Sequence, residues 1–575
     1  MNYNKEYIRW LSSPKVDEAT KNELRQYDEE TKKLYFHGFL SFGTAGLRGI
    51  MAAGTNAMNE YTVAHATQGL SDLINDEKRA DDGVVIAYDS RHNSQRFAEV
   101  SASVLCANGI KTYLFDSLRP TPVLSFAVRH LKCAAGINIT ASHNPKEYNG
   151  YKAYWDDGAQ LSPALADRVS AFMSRVDVLD GVKRADLSAA LNSSLLVYVG
   201  SDIDKPYLEA VEAQLIDREA VARASGLRVV YSPLNGAGYR MVPEILGRIG
   251  IGNLHIVPEQ AEPDGDFPTT PFPNPEFIQV FGPGIKLADE IGSDLIIATD
   301  PDADRMGVAV RGGDGGFTVL TGNQQGALLT EYIISALKRT GKYPAHPYII
   351  KSFVSTELAA KIARANGCEC YDVFTGFKYI GEKMNELEND DTDTHFLLGF
   401  EESCGYLRGT YARDKDAVVA SMLICEAAAY YAGEGKTLYD AMRDIYEKYG
   451  YFRESTESVY MKGLDGIKKM ADLMAALRKS PPERLAGIKV KAYIDYSVPE
   501  KYDLKKGTKE KLPGGTTNSL YYILGDDVVV IRPSGTEPKI KFYCMASEVT
   551  AEKAAKKLER FRKIPDKLIR EYGDK

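Results

Sequence analysis

Residues 84–140 read VVIAYDSRHNSQRFAEVSASVLCANGIKTYLFDSLRPTPVLSFAVRHLKCAAGINIT, and this stretch decides the fold. Short runs rich in β-branched and aromatic residues alternate in it with two longer segments of helical periodicity, the first of which closes on Gly109. The order strand, helix, strand, helix, strand predicts a parallel sheet. Because parallel sheets carry ligand-binding loops at the carboxyl ends of their strands, we expect functional residues just after Thr140.

A predicted strand followed by a predicted helix occurs twice further along the chain, in LRVVYSP (227–233) with MVPEILGRI (241–249), and in PYIIKSF (347–353) with STELAAKIARANG (355–367). The last part differs, because strand-like segments follow one another there without long helices between them, and a charged helix comes after them. The sequence therefore predicts an α/β protein with three α/β domains and a C-terminal α+β domain. The predicted domains are 1–204, 205–318, 319–448 and 449–575.

The composition excludes several classes of function. A formal net charge of -8 argues against nonspecific nucleic-acid binding, which needs a basic face. The first residues lack the pattern of a signal peptide, and no run of about 18 apolar residues occurs, so we expect neither export nor a membrane partner. The seven cysteines are scattered and do not suggest a disulfide framework, which favours a reducing cytoplasm.

The loop TASHNPKEYNGYK (140–152) places Ser142 and His143 just past a buried strand. Asn144-Pro145 and Asn149-Gly150 favour turns on either side of the polar run, so the serine is expected to be held in place. A serine hydroxyl becomes a nucleophile only when a base or a metal assists it, and His143, Lys152 and a cation are the candidates. A purely structural serine-histidine pair is the alternative.

A second loop, ATDPDADRMG (298–307), carries Asp300, Asp302 and Asp304 at alternate positions, where three carboxylates can converge on one hard divalent cation. The alternatives are an exposed acidic turn and a calcium-binding EF-hand. An EF-hand that began at Asp300 would need glycine at its sixth position and glutamate at its twelfth. Arg305 and Arg311 occupy those positions, which disfavours a calcium sensor.

A third loop, RPSGTEPK (532–539), follows a predicted strand. Its small residues let backbone N–H groups approach an anion, and Arg532 can hold a phosphate in a bidentate manner. The functional interpretation is a phosphate clamp. The alternative is an ordinary turn rich in proline and glycine.

Weaker signals lie in three further segments. FGTAGLRG (42–49) is a glycine-rich loop with Arg48, and TGFKYI (375–380) puts Lys378 in a tight turn. GFEESCGYL (399–407) offers Glu401 and Ser403, whose oxygens can hydrogen-bond to the hydroxyls of a sugar, and Lys415 follows them.

Together, TASHNP, DPDADR, GFEES and RPSGTEP follow the four-part pattern of the α-D-phosphohexomutase family, in the same order. The chain resembles this family from about Ser41 to Ala546, and its TAGLRG and EES variants look most like the phosphoglucomutase and phosphopentomutase branch. The resemblance implies four domains around a central cleft. It also implies an Mg²⁺-dependent enzyme that acts on a small sugar phosphate.

The resemblance further implies a role for each motif residue. Ser142 would be the phosphoserine, with Asp300, Asp302 and Asp304 joining it around Mg²⁺, and Lys152, His143 and Arg48 would assist proton and phosphoryl transfer. The implied substrate-binding residues are Arg305, Lys378, Glu401, Ser403, Lys415, Arg532, Ser534, Gly535 and Thr536. Cys404, Gly405 and Tyr406 stand where many relatives place a histidine, so Lys152 or His143 must then supply the acid-base group.

The implied reaction interconverts glucose 1-phosphate and glucose 6-phosphate through glucose 1,6-bisphosphate, which turns around between two phosphoryl transfers. A phosphopentomutase, a phosphomannomutase or a synthase of the bisphosphate would use the same scaffold. Outside this class, the alternatives are a non-catalytic sugar-phosphate binder and a phosphatase acting through the serine. The sequence specifies neither the sugar nor an oligomeric state.

Overall fold

Residues 84–140 form the series of strands and helices that their pattern predicts. The computed structural model describes residues 2–43, 46–390, 393–461, 466–534 and 539–572. The chain divides into two units. One comprises Met1–Lys351 and Gly376–Tyr439, and the other comprises Ser352–Thr375 and Asp440–Lys575.

The first unit begins with three helices, which form an N-terminal addition to the first sheet domain. Trp10 is fully buried, and its ring lies 5.6 Å from that of Phe36 and 5.0 Å from that of Tyr61. Tyr61 also donates a hydrogen bond of 2.8 Å to Asp17. Since Tyr61 belongs to the helix that follows, these contacts attach the addition to the first sheet domain. The helices are α1 (Tyr3–Ser12), α2 (Glu18–Leu24) and α3 (Glu29–Phe36).

The first sheet is mixed and has helices packed against it. Its elements are β1 (Leu47–Ile50), α4 (Glu60–Asp76), β2 (Val84–Tyr88), α5 (Ser94–Ala107), β3 (Thr112–Phe115), α6 (Thr121–Leu131), β4 (Ala135–Ile139), β5 (Tyr148–Trp155), α7 (Pro163–Met173), α8 (Leu187–Asn192), β6 (Leu196–Val199) and α9 (Ser201–Glu212), with a 3₁₀ helix at Ala80–Asp82.

The strand order is β1-β5-β4-β2-β3-β6, with β2 parallel to both β3 and β4 and with β3 parallel to β6. Strands β2 and β4 are wholly buried, as expected of a parallel sheet covered on both faces. Their carboxyl ends lie side by side, so the loops after Tyr88 and Ile139 are neighbours. Strand β5 returns antiparallel to β4 and sets Lys152 opposite Asn138.

The second sheet supplies the acidic loop. Its order is β11-β10-β9-β7-β8, and the loop that connects the antiparallel pair β9 and β10 is residues 300–305. The elements are α10 (Arg218–Arg223), β7 (Arg228–Ser232), α11 (Gly238–Ile249), β8 (Asn253–Ile256), α12 (Pro258–Ala261), a 3₁₀ helix at Ile278–Phe281, α13 (Gly282–Ile291), β9 (Leu295–Thr299), β10 (Met306–Arg311) and β11 (Phe317–Leu320).

The next stretch carries the predicted sugar loop. Strand β12 is parallel to β14, and β15 turns back antiparallel to β14 after Glu401. Helix α15 and strand β13 belong to the second unit. The elements are α14 (Gly322–Arg339), β12 (Pro347–Ser352), α15 (Glu357–Ala365), β13 (Glu369–Val373), α16 (Phe377–Asn389), β14 (His395–Glu401), β15 (Gly405–Leu407), α17 (Ala417–Gly433) and α18 (Leu438–Tyr449).

The second unit is built on a seven-stranded antiparallel sheet of order β16-β24-β23-β22-β19-β20-β21. Leu473, Phe561 and Leu568 of its helices share a core with one face of the sheet, and Phe353 packs with Tyr521 in a second cluster. The elements are β16 (Tyr451–Tyr460), α19 (Gly466–Lys479), β17 (Arg484–Leu485), β18 (Ile488–Lys489), β19 (Ala492–Asp495), β20 (Glu500–Asp503), β21 (Thr508–Lys511), β22 (Leu520–Ile523), β23 (Val528–Pro533), β24 (Lys539–Glu548), α20 (Ala551–Phe561) and α21 (Ile564–Tyr572).

The predicted fold class, α/β domains with mixed sheets followed by an α+β domain, is confirmed. In the described part of the chain, no helix combines the length and the apolar character that crossing a bilayer requires.

Candidate active site

Ser142 lies in the loop that follows β4, where the sequence places the nucleophile. Its side chain is buried, and its backbone φ of 53° is in the left-handed region that a residue with a side chain seldom adopts. The N–H of Ser142 donates to Thr140 Oγ1 at 2.8 Å. Its hydroxyl donates to Asp300 Oδ2 at 2.7 Å and lies 3.1 Å from His143 Nδ1. The structure therefore brings the first two predicted motifs together.

The three aspartates of the second loop form one buried cluster. Each offers a carboxylate oxygen, and these oxygens lie within 4.8 Å of one another. Among the residues that the structure describes, this is the one group of histidine, cysteine or carboxylate side chains that could hold a metal ion. Hard divalent cations bind carboxylate oxygens at about 2.0–2.6 Å, so one ion could reach all three side chains.

Two lysines balance part of the negative charge. Lys152 Nζ lies 2.7 Å from Asp302 Oδ2 and 3.4 Å from Asp304 Oδ2. Lys415 Nζ lies 3.0 Å from both Asp304 Oδ2 and Asp414 Oδ1. Burial lowers the pKa of each amine, but the neighbouring carboxylates more than offset it, and both lysine pKa values lie above their usual range. Both amines are therefore charged at neutral pH.

The aspartates differ in how they ionise. Burial, together with the charges of Asp302 and Asp304, raises the pKa of Asp300 well above its usual range. Burial also acts to raise the pKa of Asp302, but the adjacent Lys152 amine outweighs it and leaves that pKa below the usual range. Full ionisation of the cluster thus calls for further positive charge.

Two oxygens of the cluster are also unsatisfied. Asp302 Oδ1 and Asp304 Oδ1 are buried and have no hydrogen-bond partner. A buried carboxylate oxygen without a partner is costly, and coordination to a cation would satisfy it. The donor set, three carboxylates next to a serine hydroxyl, is of the oxygen type that Mg²⁺ prefers. The residues therefore fit a divalent metal ion.

His143 and Arg48 lie beside the serine. Burial, followed by the charges of Arg305 and Arg48, holds the pKa of His143 well below its usual range, so the imidazole is neutral at pH 7. Arg48, on β1, donates to Asn144 Oδ1 at 3.3 Å. A neutral imidazole close to the serine hydroxyl can accept a proton.

The predicted sugar loop reaches the same region. Glu401 is the last residue of β14, and its Oε1 accepts a hydrogen bond of 2.7 Å from Gly376 N, just before α16. Lys378, which the sequence placed in a tight turn, is instead the second residue of that helix. Arg305 donates to the carbonyl of Ser403 at 3.2 Å and to Glu276 Oε1 at 3.0 Å. Burial raises the pKa of Glu401 to about 7. The acidic loop and the sugar loop are thus directly hydrogen-bonded.

The predicted phosphate clamp lies in the second unit. Arg532 is in β23, and the N–H of Ser534 donates to the carbonyl of Lys539 at 2.7 Å. Gly535 and Thr536, the other two predicted clamp residues, lie outside the described residues.

Four residues that the motifs did not single out also contact the site. Thr121 Oγ1 donates to Asp302 Oδ2 at 2.8 Å, Asp414 and Glu276 pair with Lys415 and Arg305, and Arg91 binds the serine loop. Arg91 had a usable signal, because DSRHNS follows a buried strand just as the loops of Ser142 and Asp300 do.

Comparison with known sequences gives consistent matches along the chain. Residues 40–178, 205–313 and 321–449 match the models of α/β/α domains I, II and III of phosphoglucomutase/phosphomannomutase. A phosphoglucomutase of Staphylococcus saprophyticus is 37% identical over 535 residues, which cover 93% of this chain and 95% of that protein. A phosphoglucomutase of Staphylococcus aureus is 37% identical over 527 residues, or 92% and 93% of the two chains.

Solved structures share the fold at lower identity. An open form of pp63/parafusin (phosphoglucomutase) from Paramecium superposes with a TM-score of 0.69 at 18% identity, covering 93% of this chain and 96% of that one. A putative phosphomannomutase from Thermus thermophilus gives a TM-score of 0.67 at 22% identity, covering 92% and 99%.

Proposed function

The chain belongs to the phosphoglucomutase/phosphomannomutase family of α-D-phosphohexomutases, and from this premise we propose that it interconverts glucose 1-phosphate and glucose 6-phosphate. It is an enzyme of the isomerase class that transfers a phosphoryl group within its substrate. The observation that supports the proposal is the hydrogen bond of 2.7 Å between Ser142 Oγ and Asp300 Oδ2, because it brings the hydroxyl that we propose as nucleophile to a site that fits a metal ion.

In the proposed reaction, Ser142 carries the phosphoryl group and gives it to the free hydroxyl of the sugar monophosphate. The resulting glucose 1,6-bisphosphate turns around and returns its other phosphate to Ser142. Asp300, Asp302 and Asp304 would hold Mg²⁺, which when bound supplies positive charge to the transferring phosphoryl group. Lys152 and Lys415 add fixed positive charge, and the neutral His143 is placed to accept or return a proton at the serine oxygen.

We assign substrate recognition to the predicted loops. Glu401 and Ser403, with Lys378, Arg305 and Lys415, would bind the sugar and one phosphate. The RPSGTEPK loop, of which Arg532 and Ser534 are described, would hold the other phosphate. Domain boundaries near 204, 318 and 449 remain our proposal, as does a reducing cytoplasmic compartment, for which the seven free cysteines are the support.

A coupled assay of the purified protein with Mg²⁺ tests the function. We expect faster turnover of glucose 1-phosphate than of mannose 1-phosphate or ribose 1-phosphate, with stimulation by glucose 1,6-bisphosphate. A preference for ribose 1-phosphate would instead make the enzyme a phosphopentomutase. Release of inorganic phosphate would indicate a phosphatase, and no turnover with any sugar phosphate would favour the non-catalytic binder.

The side chain of Lys378 predicts a pH effect on substrate binding. Burial lowers the pKa of this amine to about 8. Since a lysine whose pKa is lowered is charged below that value and neutral above it, attraction for a substrate phosphate weakens as the pH rises. We therefore expect kcat/KM to fall as the pH increases through about 8. In Lys378→Arg, this fall in kcat/KM should occur at higher pH, because a guanidinium keeps its charge.

Lys383→Arg is the matched control, since Lys383 lies on the same helix and pairs with Glu386 at 2.6 Å on the surface. It should leave the pH profile unchanged. If the profile of Lys378→Arg also coincides with that of the unmodified enzyme, Lys378 does not bind the substrate phosphate through its charge.

A further inference from the structure

The guanidinium of Arg91 is buried against the loop that carries Ser142. Arg91 follows β2, the strand that neighbours β4 in the sheet, so the two loops leave the same edge side by side. All hydrogen bonds of its two terminal nitrogens go to backbone carbonyls of that one loop. The acceptors are the carbonyls of Pro145 at 2.8 Å, Tyr148 at 3.1 Å, Ser142 at 2.5 Å and Asn144.

The remaining surroundings of Arg91 hold it still. Its Nε lies 3.4 Å from Asp89 Oδ2, and its guanidinium carbon lies 5.0 Å from the ring centroid of Phe267, which comes from the second sheet domain. The side chain is therefore fixed by its own loop, by the serine loop and by a ring from the neighbouring domain. Its terminal N–H groups are used by carbonyls, so Arg91 is not a group that binds substrate.

The conformation of Ser142 needs such support. A left-handed φ is unfavourable for serine and persists only when the surroundings determine it. The bond from Arg91 to the carbonyl of Ser142 fixes the peptide that follows the nucleophile, and the bonds to Asn144, Pro145 and Tyr148 fix the rest of the turn. A planar guanidinium can serve four carbonyls at once, whereas a lysine amine has three donors at a single point.

We propose that Arg91 is a positioning residue that holds the Ser142 loop in the geometry for phosphoryl transfer and thereby limits hydrolysis of the phosphoserine. This inference rests on the proposed function, because it requires Ser142 to carry the phosphoryl group. The inference adds that the loop geometry, and with it the ratio of phosphoryl transfer to sugar over transfer to water, depends on one arginine whose terminal nitrogens bond to backbone carbonyls.

The test compares Arg91→Lys with Arg311→Lys. Arg311 is a matched control, because its guanidinium also lies over a phenylalanine, Phe317, at 4.4 Å and donates to two carbonyls, those of Ser293 and Gly315. It is at the opposite end of β10 from the acidic loop. Three quantities are measured for each variant: kcat, KM, and the decay of the phosphoenzyme in buffer without sugar, followed by intact mass.

We expect Arg91→Lys to lower kcat by about 10²-fold, since a displacement of about 1 Å in reacting groups has an effect of this size. KM should change little, and the phosphoenzyme should decay faster than that of the unmodified enzyme. Arg311→Lys should match the unmodified enzyme in all three quantities. A raised KM with normal kcat for Arg91→Lys would overturn the proposal, and so would kinetics equal to those of Arg311→Lys.

If circular dichroism shows that Arg91→Lys does not fold, Phe267→Leu provides the test, because it removes the ring beneath the guanidinium and leaves the four donors. It should lower kcat without raising KM, and an unchanged kcat would overturn the proposal. Phosphorylation of Ser142 in the unmodified enzyme distinguishes failure of the proposed function from failure of the inference about Arg91. Absence of phosphate on Ser142 there defeats the proposed function, whereas a normal phosphoenzyme with an inert Arg91→Lys substitution defeats this inference alone.

Discussion

Replacing Ser142 by alanine is expected to lower kcat for glucose 1-phosphate by at least about 10⁴-fold, because removing the nucleophile of a covalent mechanism leaves only binding and electrostatic contributions. The hydroxyl is the only part of the side chain that is lost, and it now lies 2.7 Å from Asp300 and 3.1 Å from His143. After incubation with glucose 1,6-bisphosphate, the intact mass of the Ser142→Ala variant should lack the one phosphoryl group that the unmodified enzyme carries. Both quantities are measured on the same preparation.

Ser101→Ala is the control for this change. Ser101 is also buried in the first sheet domain, and its hydroxyl donates to the carbonyl of Phe97 within α5. The Ser101→Ala variant should be phosphorylated, and it should turn over glucose 1-phosphate at the rate of the unmodified enzyme. Turnover by Ser142→Ala at the level of Ser101→Ala would show that the phosphoryl group does not pass through Ser142.

Replacing Asp302 by asparagine should have the second largest effect, a loss of about 10²- to 10⁴-fold in kcat. Asparagine keeps the shape of the side chain but removes a negative charge that faces Lys152 and the proposed metal ion. The affinity for Mg²⁺, measured by calorimetry on the unphosphorylated protein, should fall in parallel. Chelation of the metal ion in the unmodified enzyme should reproduce the loss of turnover, and added Mg²⁺ should restore it.

Asp294→Asn makes the same chemical change just before β9, at the opposite end of that strand from Asp300, where Asp294 pairs with Arg311 at 2.9 Å on the surface. This variant should bind Mg²⁺ and turn over normally. Unchanged Mg²⁺ affinity in Asp302→Asn would contradict the assignment of the metal site, whatever the effect on turnover.

Much of the fold could be predicted because its signals are local. Short apolar runs indicate the strands of each α/β segment, and the helical period indicates its helices. The polar loops that carry Ser142, Asp300 and Ser403 follow strands β4, β9 and β14. The edge strand β16 was missed. Its sequence, YFRESTESVY, is largely polar and lacks the apolar alternation of a covered strand. Within the described part of the chain, β24 is the one strand with which it pairs.

The sequence predicted which loops carry the candidate site, but it did not predict which of their side chains contact each other. The motifs give residue types, whereas the contact of Ser142 with Asp300 depends on how two separate sheets pack. The ion pair of Lys152 with Asp302 depends on the register of β5 against β4. Arg91 lies in a polar loop after a buried strand, which is a usable signal, but its partners are backbone carbonyls and cannot be recognised from the sequence of the loop that it binds.

The distance along the chain between Ser142 and Asp300, 158 residues, has a consequence for biosynthesis. A ribosome must complete the acidic loop of the second sheet domain before Asp300 can reach the serine, so the nascent first domain lacks the proposed metal site beside this hydroxyl. Contacts between residues so far apart are slow to form, because the entropy cost of closing the intervening chain comes first. The serine is thereby kept without its proposed metal site until more than half of the chain has been made, and we expect its first phosphoryl group to arrive only after that point.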